Sequence, residues 1–273
     1  MVATPIGHLS DITIRAVEVL KSVQTIAAED TRHSRVLLDH IQAHPERLIP
    51  LHDHNEGTAS MRILEILEQG NDVAVISDAG TPLLSDPGFR LVRRVRNEGF
   101  PVVPIPGCSA VMAALSVSSV PVERFYFQGF LPSKPIQRRA LLKDLCEIDC
   151  AVIFYEAPHR IGQTFEDLAE MVAPERQILV ARELTKMHET IEVDSVQNLA
   201  EQFASETPRG EYVCILEGHS GAVREMNEET KKLLKILSEE LSTTQSARLA
   251  ARITGLSKST LYDYLVRRKE SSA

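Results

Sequence analysis

Cysteine is scarce in this sequence, with four residues among 273, and only Cys146 and Cys150 stand close together. A zinc site needs more ligands at tighter spacing, so this pattern favours reduced thiols over a metal centre. No apolar run approaches the ~20 residues that a membrane-spanning helix needs. The N-terminus enters strand-like sequence at once, without the basic region that opens a secretory signal. These absences lead us to expect a cytoplasmic protein without a membrane anchor.

Two nucleotide-binding fingerprints are also missing. The sequence has no GxxxxGK[ST], which argues against P-loop nucleotide chemistry. No GxGxxG follows the first predicted strand, so the usual dinucleotide or Rossmann-methyltransferase fingerprint is absent. The serine of PGCSA has none of the surroundings of a hydrolase nucleophile elbow.

Basic residues are fewer than acidic ones, and the formal net charge is −8. This argues against a protein that coats nucleic acid over its whole surface, but it leaves room for a local basic site. Residues 222–273 hold ten Lys plus Arg against seven Asp plus Glu, or +3, which leaves −11 for the remainder. We therefore expect an acidic body with a mildly basic tail.

Strand-like and helical patterns alternate along most of the chain. In the first part of the chain, near-continuous apolar strands separated by helices predict an α/β fold with a mostly parallel sheet covered on both faces, and a second α/β segment follows. The predicted strands are 2–4, 23–28, 73–76, 102–105, 151–155, 177–181, 188–193 (antiparallel) and 212–216. The predicted helices are 11–22 with Asp11 as cap, 61–69, 89–97, 109–118, 160–171 and 198–203. We predict three parts: an α/β domain at 1–118, a second at 119–219 and a helical unit at 222–273.

Four turn-rich stretches follow predicted strands of the first domain: TPIG (4–7), EDTR (29–32), SDAGTP (77–82) and PGCSA (106–110). Ligands of open α/β sheets bind beyond the carboxyl ends of the strands. Gly7, Gly80 and Gly107 allow close backbone approach or positive φ, and Asp78 offers a carboxylate for an ammonium group. Each loop alone is equally well explained as a tight turn, but the four together favour a binding site.

Charged side chains follow two strands of the second domain, in EAPHR (156–160) and ARELTKMHE (181–189). They could line the same cleft from its other side. The candidates are Glu156, His159, Arg160, Arg182, Glu183 and Lys186. The structural alternatives are a helix cap for His159 and an ordinary helix-start residue for Arg160.

Two basic segments are candidates for nucleic-acid contact. Lys134, Arg138, Arg139 and Lys143 lie in GFLPSKPIQRRALLK (129–143), which suggests phosphate contacts or, alternatively, a solvated helix face. The tail at 244–269 has a helix-turn-helix pattern. Its basic residues are Arg248, Arg252, Lys258, Arg267 and Arg268. A small helical bundle that only packs or dimerises is the alternative for the tail.

Seven motifs, in chain order, resemble the tetrapyrrole methylase superfamily: VATPIG, AEDTR, SDAGTPLLSDPG, PGCSA, GFLP, EAPHR and ARELTK. The resemblance is closest to its ribosomal RNA branch and covers residues 2 to 218, and the tail more loosely. It implies two α/β domains with S-adenosylmethionine in the cleft between them, and a homodimer. It also implies methylation of the ribose 2′-oxygen of a cytidine in 16S rRNA, within the decoding region of the small ribosomal subunit.

The resemblance also implies site roles. SDAGTP would wrap the methionine end of the cofactor, PGCSA would form a second cofactor loop, and ARELTK would approach the adenine side. The predicted cofactor-binding residues are Pro5, Gly7, Asp78, Ala79, Gly80, Thr81, Pro106, Gly107, Ser109, Ala110, Tyr155, Arg182 and Leu184. The predicted substrate-binding residues are Lys134, Arg138, Arg139, Glu156, His159, Arg160, Arg252 and Lys258.

A ribose 2′-hydroxyl is a weak nucleophile, so a base or a nearby positive charge should assist methyl transfer. Asp30 and Glu183 are the base candidates, and Arg32 and Lys186 complete the predicted catalytic set. Together with Arg182, these two cations would orient phosphate or stabilise a developing alkoxide. Two alternatives stay open: a methylase of tetrapyrroles, which would need a large apolar trough, and a non-catalytic nucleic-acid-binding regulator.

Overall fold

The computed structural model describes residues 1–205, 207–219, 228–254, 258, 261–262 and 264–266. The chain forms two compact units, Met1–Gly218 and His219–Ala273. The first unit holds both sheets and the second is helical where it is described. The division of the first unit at residue 118 stays a prediction.

The first sheet is parallel. Strand β1 (Thr25–Ala28) lies between β2 (Arg47–Pro50) and β3 (Val73–Ile76). The helices around this sheet are α1 (Ile14–Ser22), α2 (Thr31–His40), α3 (Glu56–Glu68) and α4 (Phe89–Asn97). Helix α5 (Ala110–Ser116) follows them in the chain. The predicted strands at 2–4 and 102–105 were wrong in extent, because they reduce to isolated bridges of Val2 with Ile105 and of Thr4 with Gly80.

Both faces of β1 are buried, which explains its unbroken apolar sequence. Ile26 packs in one core with Leu20 of α1, whereas Ala27 packs in another with Ile63 of α3. The predicted cap of α1 was wrong. Thr13 takes that role, since its Oγ1 accepts a hydrogen bond from the backbone N–H of Ala16 at 3.2 Å.

The second sheet is mixed, with the order β4-β5-β8-β6-β7. Its strands are β4 (Phe125–Phe130), β5 (Ala151–Glu156), β6 (Gln177–Arg182), β7 (Thr190–Ser195) and β8 (Tyr212–Leu216). Strands β4 and β5 are parallel, and the other neighbours are antiparallel. This confirms the antiparallel strand predicted near 188–193.

Helices cover both faces of the second sheet. On one face lie α6 (Pro135–Cys146), α7 (Pro158–Ala169) and α8 (Val196–Ser205), with Phe165 and Phe203 in their shared core. On the other face Val111 and Ala114 of α5 pack against Ile215 of β8. Because α5 directly follows the loop at 106–109, this contact brings the loops of the first sheet to the second sheet.

The second unit contains α9 (Glu228–Glu240) and α10 (Thr243–Thr254). Its core is formed by Leu234, Ala247, Ala250, Leu261 and Leu265. The predicted tail residues Arg267 and Arg268 lie outside the described residues. No helix in the described part of the chain is long and apolar enough to cross a membrane.

Candidate functional site

A cavity of about 240 Å³ lies where the loops of the first sheet face the second sheet. Its wall on the side of the first sheet includes Ile6, Glu29, Asp78, Gly80, Leu84 and Asp86. Its wall on the side of the second sheet includes Phe130, Tyr155, Glu183, Leu184, Lys186 and Val213. The site therefore combines acidic groups with apolar side chains.

Hydrogen bonds tie together the four loops that the sequence predicted to form one site. The backbones of Thr4 and Gly80 exchange two bonds, of 2.9 and 3.1 Å. The Oγ1 of Thr81 donates to the carbonyl of Cys108 at 3.0 Å, which links SDAGTP to PGCSA. The backbone N–H of Asp30 donates to Oδ1 of Asp78 at 2.9 Å, which adds the EDTR loop.

Six acidic residues line this cavity: Glu29, Asp78, Asp86, Glu156, Glu183 and Glu211. Burial, opposed by a hydrogen bond from Ser77 and reinforced by the charge of Asp78, raises the pKa of Asp86 to about 6. Burial and the neighbouring charges of Asp86 and Asp78 also raise the pKa of Glu29. Burial, together with the charge of Asp86, raises the pKa of Tyr155 to about 12. A positively charged ligand would relieve this repulsion, so the site suits a cation.

Two loops of the first unit contain non-glycine residues in the left-handed region of the backbone. Leu83 and Ser85 have φ values of 77° and 74° in the segment after SDAGTP, and Glu183 and Thr185 have φ values of 50° and 64° in ARELTK. Such residues cost about 1–3 kcal/mol each and concentrate at functional sites. Ser85 and Glu183 line the cavity itself.

Lys186 joins two acidic residues at the rim of the cavity. Its Nζ lies 2.9 Å from Oε1 of Glu183 and 2.9 Å from Oε2 of Glu211. Burial by itself would raise the pKa of Glu183, but hydrogen bonds from Lys186 and from the backbone of Glu211 lower it. A carboxylate held in this way is a poor proton acceptor, so the geometry disfavours Glu183 as the base.

Asp30 and Arg32 pair with each other and do not line the cavity. The Oδ1 of Asp30 also accepts the backbone N–H of Arg32 at 2.8 Å and caps α2. Hydrogen bonds from Arg32 lower the pKa of Asp30 to about 2. These contacts disfavour Asp30 as the base, because its carboxylate already serves the helix and Arg32, and its catalytic role stays a prediction.

The predicted cofactor residues divide into three groups. Those that line the cavity are Asp78, Ala79, Gly80, Thr81, Ser109, Ala110, Tyr155 and Leu184. Pro5 and Gly7 line a neighbouring cavity that shares Asp78, Ala79 and Lys186 with the first. Pro106, Gly107 and Arg182 line neither: Gly107 packs closely against Ala3, and the Nε of Arg182 donates to the carbonyl of Arg209 at 2.7 Å.

Glu156 and Arg160 form a buried pair rather than a free substrate contact. The Oε1 of Glu156 lies 2.6 Å from Nη2 of Arg160, and its Oε2 accepts from Oγ1 of Thr164 at 2.8 Å. The side chain of Glu156 is fully buried by this pairing, which anchors the start of α7 on β5, although Glu156 also lines the cavity. The substrate roles of Glu156 and Arg160 stay predictions. His159 is exposed, and its predicted contact with substrate stays a prediction.

Two of the four basic residues in the predicted segment 129–143 form ion pairs with carboxylates outside it. Arg138 is 2% exposed, and its Nε donates to Oδ2 of Asp167 at 3.0 Å. Arg139 pairs with Asp167 of α7 and with Glu170, which follows the end of that helix. Burial therefore disfavours a phosphate contact by Arg138, and Arg139 is already paired. Both contacts stay predictions. Lys134 remains exposed, as do Arg252 and Lys258 in the second unit.

Two groups of residues were missed by sequence reasoning. Asp86 lies in the motif SDAGTPLLSDPG, where its Asp-Pro-Gly sequence indicates a turn, although it is a second acidic residue eight positions after Asp78. Glu211 follows a loop and belongs to no motif, so no sequence pattern indicates it. The arginines of α4, in FRLVRRVRN, are a dense basic stretch that was visible in the sequence and was not singled out.

The chain matches known families over most of its length. The family described as Tetrapyrrole (Corrin/Porphyrin) Methylases matches residues 1–200, and the RsmI C-terminal HTH domain matches residues 224–269. The solved structure of cobalt precorrin-4 methyltransferase, a cobalamin biosynthetic enzyme, superposes with a TM-score of 0.60 at 14% identity and covers 79% of this chain and 92% of its own. The predicted α/β fold with a helix-turn-helix tail is confirmed.

A second solved structure is that of a uroporphyrin-III C-methyltransferase from Thermus thermophilus complexed with S-adenosyl homocysteine. It superposes with a TM-score of 0.55 at 16% identity and covers 79% of this chain and 95% of its own. At these identities the two structures establish the shared fold.

Two relatives are much closer in sequence, and both are named ribosomal RNA small subunit methyltransferase I. That of Haemophilus influenzae is 45% identical over 97% of this chain and 94% of its own length. That of Pasteurella multocida is 46% identical over 97% of this chain and 95% of its own length. The chain therefore belongs to the ribosomal RNA small subunit methyltransferase I family, within the tetrapyrrole methylases, and is a methyltransferase.

Proposed function

We propose that this chain uses S-adenosylmethionine to methylate the ribose 2′-oxygen of a cytidine in the 16S rRNA of the small ribosomal subunit. The observation that carries the proposal is the acidic and apolar cavity between the loops of the two sheets. The names of the relatives support an rRNA substrate. The cytidine and the 2′-oxygen rest on the motif resemblance.

The cavity fits this cofactor by the chemistry of its walls. S-adenosylmethionine would supply an electrophilic methyl group on a positively charged sulfur. The carboxylates of Glu29, Asp78 and Asp86 suit that charge and the ammonium of the methionine end. Leu184 and Val213 offer apolar surface for the adenine ring. The structural neighbour that holds S-adenosyl homocysteine supports the same cofactor class.

Asp86 is the proton acceptor in this proposal. It lines the cavity, and its pKa of about 6 leaves it ionised near neutral pH yet more basic than an ordinary aspartate. Methyl transfer would break the bond between the methyl carbon and sulfur, form the bond to the ribose oxygen and release S-adenosylhomocysteine. The Asp86 carboxylate would accept the 2′-hydroxyl proton. Lys186 would stabilise negative charge that develops on the ribose oxygen.

An RNA substrate is favoured over a tetrapyrrole. The second unit has its own core and places Arg248 and Arg252 of α10 on its exposed surface. Its match to a helix-turn-helix domain supports nucleic-acid contact. A non-catalytic regulator would not need an acidic group of raised pKa in its ligand cavity.

The test is a methylation assay with labelled S-adenosylmethionine and either naked 16S rRNA or assembled small subunits. Nucleosides from the digested rRNA are separated by mass spectrometry, and 2′-O-methylcytidine is the expected labelled product. Label on a base, or label only on a porphyrin-type substrate, contradicts the proposal. If the chain binds S-adenosylmethionine but transfers no methyl group to any substrate, the result would favour a non-catalytic regulator. The homodimer stays a prediction, which sedimentation of the full chain tests.

A further inference from the structure

Helix α4 carries four arginines among its nine residues, FRLVRRVRN. With 100° of rotation per residue, Arg90, Arg93 and Arg94 fall on one face together with Asn97. Leu91 and Val95 are buried on the opposite face, in the core shared with α3. The helix therefore presents a basic stripe, defined as Arg90, Arg93 and Arg94, away from the core.

The basic stripe has no carboxylate partner among the residues that the structure describes. All three side chains are exposed, and none forms an ion pair with any residue that the structure describes. Arg138 and Arg139 show the opposite arrangement, since carboxylates of α7 pair with both. Like charges three and four residues apart on a helix repel one another, so the stripe by itself destabilises α4. An anionic partner would turn this repulsion into attraction.

The basic stripe begins four residues after Asp86, which lines the cavity. Helix α4 starts three residues after Asp86, with Gly88 as its cap. The Oε1 of Glu56 accepts the backbone N–H groups of Arg90 and Leu91 at 2.7 and 3.1 Å. Because this carboxylate already satisfies two of the amides at the helix start, an approaching anion would be held by the arginine side chains instead.

Phe89 points to the kind of anion. Its side chain is 66% exposed at the end of α4 nearest the cavity. An exposed aromatic ring beside arginines suits a single-stranded RNA, whose bases stack on the ring while its phosphates contact the cations. An anionic membrane fits less well, because the apolar face of α4 is already buried against α3.

We propose that the basic stripe of α4 binds phosphates of the rRNA strand whose target nucleotide enters the cavity. This inference rests on the proposed function, because it takes RNA as the substrate. It moves the main phosphate contact of the first unit from 129–143, where the arginines are paired, to α4. The stripe positions the strand and does not select its sequence.

The experiment compares three full-length variants with the unmodified chain. In R90Q/R93Q/R94Q the stripe is neutral, and in R90K/R93K/R94K its charge is kept. The matched control, K21Q/R47Q/R124Q, removes the same charge from three other exposed positions. Lys21 and Arg124 precede β1 and β4, and Arg47 is the first residue of β2. Anisotropy of a fluorescent single-stranded fragment of 16S rRNA is measured across a KCl series, and calorimetry gives the affinity for S-adenosylmethionine.

The glutamine variant should bind RNA about tenfold or more weakly than the control, with unchanged cofactor affinity. Each phosphate contact contributes about 0.7 to the slope of log affinity against log salt for single strands, so three contacts should reduce it by about 2. The lysine variant should keep most of the slope. The proposal is overturned if the glutamine variant and the control bind RNA equally well. It is also overturned if the glutamine variant loses as much affinity for the cofactor as for RNA.

Two further outcomes separate the alternatives. If only binding to vesicles containing phosphatidylserine is lost in the glutamine variant, the stripe serves a membrane and the proposal is wrong. If the unmodified chain methylates a tetrapyrrole and neither binds nor methylates rRNA, both the proposed function and the inference about α4 fail. If it methylates rRNA and the stripe variants match the control, only the inference about α4 fails.

Discussion

The Nε of Arg138 lies 3.0 Å from the Oδ2 of Asp167, and both side chains are almost completely buried. This pair joins α6 to α7. Removing one member of a buried ion pair costs about 3–5 kcal/mol because the other charge is left behind. Arg139 still contacts Asp167, which places the expected cost at the lower end.

The first prediction concerns this pair. Arg138→Met should lower the free energy of unfolding by about 3 kcal/mol, measured by urea denaturation. Lys134→Met, four residues earlier and exposed, should change it by less than about 0.5 kcal/mol. Equal stability of the two variants would mean that the buried pair contributes little.

The second prediction concerns the proton acceptor. Asp86→Asn should lower kcat for rRNA methylation about 100-fold or more, because the amide cannot accept the proton. In the unmodified chain, kcat/KM for the cofactor should fall as the pH drops below about 6, because it reports the free chain, in which protonation of Asp86 removes the base. Glu29, Asp78 and Tyr155 face the same cavity, so the pH profile of the variant is needed to assign this fall.

Asp30→Asn is the comparison for the second prediction. Asp30 lies outside the cavity and pairs with Arg32, so this variant should keep the pH profile of the unmodified chain. If Asp30→Asn abolishes the fall near pH 6 and Asp86→Asn does not, the assignment of Asp86 is wrong.

The third prediction concerns the cofactor loop. Gly80 lines the cavity with φ of 80°, and an added Cβ would lie 3.4 Å from Cγ2 of Ile6. Gly80→Val should therefore strain the loop and reduce the affinity for S-adenosylmethionine about tenfold or more. Gly70 has the same φ of 80° with no atom near its Cβ position, so Gly70→Val carries the strain without touching the cavity. Unchanged calorimetric affinity in a folded Gly80→Val variant would place the cofactor elsewhere.

The fourth prediction concerns the second unit. A chain ending at Gly218 keeps both sheets and their cores, so it should fold and bind S-adenosylmethionine like the full chain. It should lose affinity for rRNA, because it lacks Arg248, Arg252 and Lys258. Calorimetry and RNA anisotropy measure the two effects separately. Loss of both activities would show that the first unit depends on the second for its fold.

The sequence predicted the elements whose apolar pattern is unbroken. Strands β3 and β8 begin and end where the runs VAVI and YVCIL predict, because burial on both faces leaves no polar position in them. Strands β2 and β4 were missed. The first is four residues long with Arg47 and Pro50 at its ends, and the second is mostly exposed and contains Gly129. Neither has the pattern of a buried strand.

The sequence predicted which loops form the site, but it did not predict which charged side chains are buried, paired or shifted in pKa. The four loops were recognised from their turn residues and position after strands. The burial of Arg138 depends on Asp167, 29 residues away, and a local basic pattern cannot reveal such a partner. The raised pKa of Asp86 likewise depends on Asp78 and on burial by the second sheet, so its motif indicated only a turn.

The left-handed residues of the two loops, Leu83, Ser85, Glu183 and Thr185, affect how this protein could adapt to heat. Glycine adopts such φ values without the steric penalty, so selection for thermal tolerance alone would favour glycine at these positions. The same changes would remove Glu183 from the contact with Lys186 and would leave both loops freer to move. A heat-adapted relative that keeps its activity should therefore retain these side chains and gain its stability in the helices and cores.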